Sequence, residues 1–136
     1  MLWRRLGNKK GTSMAESAIT LPIVLLITLF MVNVSMAWYS ANAASNAANY
    51  GARVGSVSQT NPIGNSVAAA QSQLAGIGVG SYSVSGSGGG FRGAEITVTV
   101  DWSLPSYLGS LLSWFGGTDP ANFHGTATSS FRQEGW

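Results

Sequence analysis

After Glu16 no charged residue appears until Arg53, and within that stretch Ala18 to Ala37 is dominated by Ile, Leu, Val, Phe and Met. A bilayer core of about 30 Å needs roughly 20 such residues in a helix, so one membrane span fits. The helical rhythm does not stop where the apolar run ends. Ala43, Ala47, Tyr50, Val54 and Val57 recur at alternating spacings of four and three, while Asn42, Asn46, Asn49 and Arg53 form a separate polar stripe. A helix from Thr12 to Val57 would be on the order of 70 Å long, more than twice the membrane thickness. Its outer half needs a protein surface to lie on. The small residues Ala43, Ala44, Ala47, Ala48 and Gly51 suit close helix approach, either to stems of other subunits or to the chain's own domain. Pro22 falls inside the apolar run and removes one backbone donor; Thr20 and Thr28 are available to take up the freed carbonyl.

Beyond the stem, Asn61-Pro62 reads as a helix start, followed by an apolar stripe of Ile63, Val67, Ala70, Leu74 and Ile77 and an ending at Gly76 and Gly78. From Val79 the period becomes two. Tyr82 and Val84 face one side with Ser81, Ser83 and Ser85 on the other; later Ile96, Val98, Val100 and Trp102 oppose Glu95, Thr97, Thr99 and Asp101. These runs predict an antiparallel hairpin across Gly86 to Gly93, with Asn122 to Phe131 as a third strand beside Ile96 to Trp102. The glycine-rich turn lacks the Gly-Lys-Ser/Thr ending of a phosphate loop and joins two strands, so it reads as a hairpin tip. Leu104 to Phe115 is apolar but too short to span, and is read as a core element closing over the sheet, with a docking patch as the alternative. The expected fold class is α+β: a leader at 1–11, a transmembrane and stem helix at 12–57, and at 58–136 a small exported domain with one helix and a roughly three-stranded antiparallel sheet.

Charge adds orientation. Arg4, Arg5, Lys9 and Lys10 lie in the first ten residues, leaving Arg53, Arg92 and Arg132 for the rest, which places the N-terminus in the cytoplasm and everything beyond Tyr39 outside a single-pass inner membrane span. Trp38 and Tyr39 would anchor the outer interface. With a net charge of +2 and 9% charged residues, no basic surface is available for nucleic acid. Cysteine is absent, which removes thiolate metal sites, thiol nucleophiles and disulfides. His124 is the single histidine, and Glu95, Asp101, Asp119 and Glu134 are scattered without metal or triad spacing. Neither catalysis nor a cofactor or metal is expected, and Arg132 and Glu134 read as solvated strand residues.

The segment Lys9-Lys10-Gly11-Thr12-Ser13-Met14-Ala15-Glu16 immediately precedes the apolar run. The basic pair holds the leader in the cytoplasm. Gly11, without a side chain, lets a protease approach the backbone at the membrane surface. A carboxylate at the membrane edge is costly unless partnered, and Glu16 lies about one helical turn beyond Thr12, where an α-amino group of an adjacent subunit would be a natural partner. The alternative for Glu16 is a carboxylate snorkelling to the interface beside Lys9 or Lys10. An ordinary secretory signal, cut after Ser35-Met36-Ala37 or Ala41-Asn42-Ala43, is a second processing route; the length of the apolar run and the ordered stripes after Trp38 speak against it.

The segment resembles the signal of type IV pilins and their relatives, cleaved after glycine with glutamate five residues on. That resemblance implies a prepilin peptidase cutting between Gly11 and Thr12, with the apolar helix retained. Together with Tyr50-Gly51-Ala52-Arg53, the Pro105 to Phe115 block, and Thr126-Ala127-Thr128-Ser129-Ser130-Phe131-Arg132-Gln133-Glu134, the chain resembles the TadE-like proteins, pilin-like components of tight-adherence (Flp) pilus systems. The polar Ser129-Ser130 pair and the Gly-rich hairpin depart from that pattern. What the resemblance implies is a minor pilin or pseudopilin of an adhesion pilus, with partners in other pilin-like subunits, the assembly platform and membrane lipid. Helix packing would then involve Pro22, Ala43, Ala47, Tyr50 and Val54. The alternative is a single-pass anchored binding domain that never polymerises.

Overall fold

The structure is a computed structural model that describes residues 9–114, 116–118 and 122–134; residues 9, 10, 12, 110, 111 and 114 are described by backbone alone. The leader residues 1–8, with Arg4 and Arg5, and the expected apolar Phe115 lie outside the described residues, as does Asp119. The elements in order are α1 (Lys9–Val57), α2 (Pro62–Leu74), β1 (Ser81–Gly88), β2 (Glu95–Leu104), α3 (Gly109–Trp114) and β3 (Phe123–Arg132).

Helix α1 has 49 residues and is therefore about 70 Å long at ~1.5 Å per residue. It begins at Lys9, so helical backbone runs through Gly11 and Thr12. Pro22 lies inside it. The two threonines do not serve the carbonyl that Pro22 frees: the Thr20 hydroxyl donates to the Glu16 carbonyl and the Thr28 hydroxyl to the Val24 carbonyl, each at 2.8 Å. Both bonds reach back four residues on the hydroxyl's own side of the helix, the geometry open to any helical Ser or Thr. The expectation that they compensate Pro22 is corrected accordingly.

After α1 the chain turns through Asn61, which has a left-handed backbone (φ 49°) and caps α2 by accepting from the Gly64 N–H at 3.2 Å. Pro62 fills the first helical turn, where its missing N–H costs nothing. Helix α2 then packs on the outer half of α1 through its buried face of Ser66, Ala70 and Leu74.

The sheet has the order β1-β2-β3, antiparallel throughout. Its register pairs Val84 with Val100 and Val100 with Ala127, and the first hairpin runs on into the glycine stretch as far as Gly88 opposite Ile96. Gly88 has φ +88°, and a Cβ there would run into the Glu95 carbonyl oxygen, so the turn demands glycine at this position. The inner face carries Ile96, Val98 and Val100, all fully buried, while Ser81, Ser83, Ser85, Thr126, Thr128 and Ser130 stand exposed on the other. Leu104 and Leu108 are buried, as expected of a segment that closes the core beyond β2.

One core serves stem and sheet together. Ala44, Ala47, Ala48 and Ala52 of α1 are buried with Ala70 and Leu74 of α2 and Val98 and Val100 of β2. The seam on α1 differs from the stripe expected from hydrophobicity: Ala47 is in it, Ala43 and Val54 lie at its margin, and Tyr50 and Val57 are exposed. Size decides the difference. A Cβ added at Gly51 would sit 2.6 Å from the Ser66 carbonyl oxygen, and one at Gly55 would sit 2.8 Å from the Ser66 Cβ. Backbones that approach so closely select the smallest residues, whatever their hydropathy.

Candidate functional site

Two regions of α1 bear on function. The first is the inner end. Gly11 is exposed, and the space where its Cβ would stand holds nothing within 4 Å. Glu16 is exposed on the first turns of the helix and, among the described residues, meets no cation; its carbonyl accepts from Thr20. The Thr12 side chain lies outside what is described. Between Glu16 and Asn33 the helix bears its apolar side chains outward on all sides, including Ile19 at 68% exposed, Leu21 at 66% and Met31 at 62%. Pro22 is partly covered. One helix among the described residues is thus long and apolar enough to cross a membrane. Such a surface is stable only against lipid or other apolar helices.

The second region is the outer half, where α1 meets the rest of the chain. The small residues read as a surface for other stems are occupied on one side by the chain's own α2 and sheet: Ala44, Ala47, Ala48 and Gly51 are buried there. The opposite side is open and carries Tyr50 at 46% exposed, with Asn42, Asn46, Asn49 and Arg53 also exposed. Two of these polar residues reach back to β3. The Ser129 hydroxyl donates to Asn49 Oδ1 at 2.6 Å, and the Arg53 guanidinium lies 5.9 Å from the Phe131 ring centroid. Ser129, whose polarity departs from the resembled pattern, is therefore a tie between β3 and the stem.

A contact that the sequence reading missed lies within the apolar run. Asn33 is fully buried; its amide donates to the Leu29 carbonyl at 3.0 Å, and its Oδ1 accepts from the backbone N–H of Tyr107 at 3.1 Å. The signal was available as a lone carboxamide among Met31, Val32 and Val34, since a polar side chain inside a span needs a protein partner.

Asp101 and His124 share an open depression of about 350 Å³ with Trp102 and Thr126. Each is tied locally. The Thr126 hydroxyl donates to Asp101 Oδ1 at 2.6 Å, and His124 Nδ1 donates to the Asn122 carbonyl at 3.1 Å. Among the described residues no three His, Asp or Glu side chains come together in a metal-binding group.

No curated protein and no solved structure matches the chain. A family model does: it covers residues 11–53, beginning at the glycine of the processing segment and running through the apolar run and most of the stem. Its description is TadE-like protein, and the match from Gly11 to Arg53 agrees with the sequence resemblance in that segment, without extending to the Pro105 to Phe115 and Thr126 to Glu134 blocks.

Proposed function

We propose that the chain is a minor pilin or pseudopilin of a tight-adherence pilus. It is inserted with its N-terminus in the cytoplasm, cut between Gly11 and Thr12 by a prepilin peptidase, and then enters, or assists assembly of, a surface fibre. The observation that carries this reading is the coincidence of the TadE-like match with a helix whose apolar surface is uncovered from Met14 to Val32. Such a helix can exchange lipid for the helices of neighbouring subunits without unfolding its own domain. Glu16 supplies the registration. Its carboxylate is exposed about one turn from the new terminus, and pairing with the Thr12 amine of an adjacent subunit would neutralise both charges in a low-dielectric bundle.

A second reading is favoured by a specific observation. Because Ala47 and Gly51 are covered by α2, the outer stem is already satisfied within one chain, which suits a single-pass anchored domain that does not polymerise. The two readings separate on Glu16→Ala. Surface fibres sheared from producing cells should contain the processed wild-type chain, whereas the Glu16→Ala chain should be processed yet remain in the membrane fraction. Equal membrane retention of both, at equal processing, supports the anchored domain and sinks the pilin reading.

A further inference from the structure

We propose that the Pro105–Trp114 segment is a membrane seat: the loop after β2 and helix α3 lie in the outer interface of the bilayer, with lipid against the exposed Tyr107. This rests on α1 being the span. With Glu16 at the inner edge, roughly 20 residues of helix bring the hydrocarbon boundary to about Met36. Asn33 is then about 5 Å inside it at ~1.5 Å per residue. Through the bond from its own N–H, Tyr107 is held at the level of Asn33. Interfacial segments typically lie about 5–10 Å into the headgroup and acyl boundary, which is the same depth.

Backbone at that depth needs its polar groups paired within the protein. Here they are. Pro105 has no N–H, the Ser106 N–H donates to Asn122 Oδ1 at 3.4 Å, and the Tyr107 N–H donates to Asn33. Farther on, the Leu112 N–H donates to the Leu108 carbonyl and the Gly117 N–H to the Leu112 carbonyl, both at 2.8 Å. Two asparagine side chains thus occupy consecutive donors that water would otherwise take.

Composition agrees. From Trp102 to Thr118 there is no charged residue, and beside the buried Leu104 and Leu108 the sequence carries Tyr107, Leu111, Leu112 and Trp114. Tyr107 is 52% exposed, and Trp38 and Tyr39, about one and a half turns above Asn33, are exposed as well. These aromatics occupy the depth at which amphipathic rings collect in membranes. At the same level Val79 of the domain joins Met31, Val32, Met36 and Tyr39 in lining an open groove of about 460 Å³. The domain therefore sits down onto the lipid instead of standing clear on the stem.

The absence of cysteine permits single-site nitroxide labelling of the full chain in vesicles of phosphatidylcholine and phosphatidylglycerol. Tyr107→Cys leaves the bond to Asn33 in place because that bond uses the backbone. Ile27→Cys reports the middle of the span and Ser83→Cys the outer sheet face. The label at Tyr107→Cys should show an oxygen-to-nickel-chelate accessibility ratio several-fold above that at Ser83→Cys, approaching Ile27→Cys. A ratio at Tyr107→Cys equal to that at Ser83→Cys, with Ile27→Cys still in lipid, overturns the seat and leaves the span intact. A water-exposed label at Ile27→Cys overturns the span reading itself. Spin–spin broadening at Tyr107→Cys that disappears on dilution with unlabelled chain would show a second copy covering the segment, and would also overturn the proposal.

Discussion

Replacing Gly51 by alanine sets two effects of opposite sign against each other. In an uncrowded helix the change stabilises by about 1 kcal/mol, because alanine has the higher helix propensity. At Gly51 the new methyl would stand 2.6 Å from the Ser66 carbonyl oxygen and 2.9 Å from the Ala70 Cβ. The second distance is about 0.6 Å short of the ~3.5 Å lower edge of a favourable carbon contact. Neither neighbour is the far end of a flexible side chain, so α2 itself must move. Overpacking of this kind costs typically about 1–3 kcal/mol. Set against the propensity gain, the net expectation is a destabilisation of about 1 kcal/mol, or a fall in Tm of about 4–8 °C for a domain of this size. Ser45→Ala, at an exposed position of the same helix, gains propensity without a clash and should hold or raise Tm. The assay is thermal unfolding of the full chain in detergent, followed by near-UV circular dichroism. A rise in Tm for Gly51→Ala, matching Ser45→Ala, would mean that α1 and α2 do not meet at this residue.

Two further substitutions probe the clasp and the cap. Asn33→Leu leaves the Tyr107 N–H without its acceptor, so exchange of that amide should accelerate about tenfold or more, the equivalent of ~1.4 kcal/mol, in line with the cost of an unmade buried bond; unchanged exchange would mean that the domain does not hold the span there. Asn61→Ala removes the α2 cap and places alanine at φ 49°, together about 2 kcal/mol, whereas Asn61→Gly should cost only a few tenths, and equal losses of Tm for the two would contradict a left-handed cap.

What could be read from the sequence was whatever a one-dimensional period encodes. The alternation from Glu95 to Asp101 located β2 and its buried face, and Asn61-Pro62 located the start of α2. The third strand and its pairing beside β2 followed from the same period. The stem seam was harder, since its rule is volume. Hydrophobic periodicity selects Tyr50, Val54 and Val57, whereas the close approach of α2 selects Gly51, Ala52 and Gly55, and both stripes run along the same helix. The Thr20 and Thr28 hydroxyls were assigned to the wrong carbonyl because a helical threonine reaches its own fourth-preceding residue, which is not the one that Pro22 exposes. The Asn33 clasp joins residues 74 apart in sequence, a pairing that no local pattern reveals.

The proposed function turns on one event, the removal of a leader after Gly11, the residue at which the TadE-like match begins. Mass spectrometry of the mature N-terminus, on membranes from cells with the native machinery and from cells lacking the prepilin peptidase, tests it directly. The expected result is a chain starting at Thr12 in the first and at Met1 in the second. A chain starting at Met1 in both would leave an anchored domain, and one starting at Trp38 or Ala44 would mean ordinary secretion and contradict the pilin route.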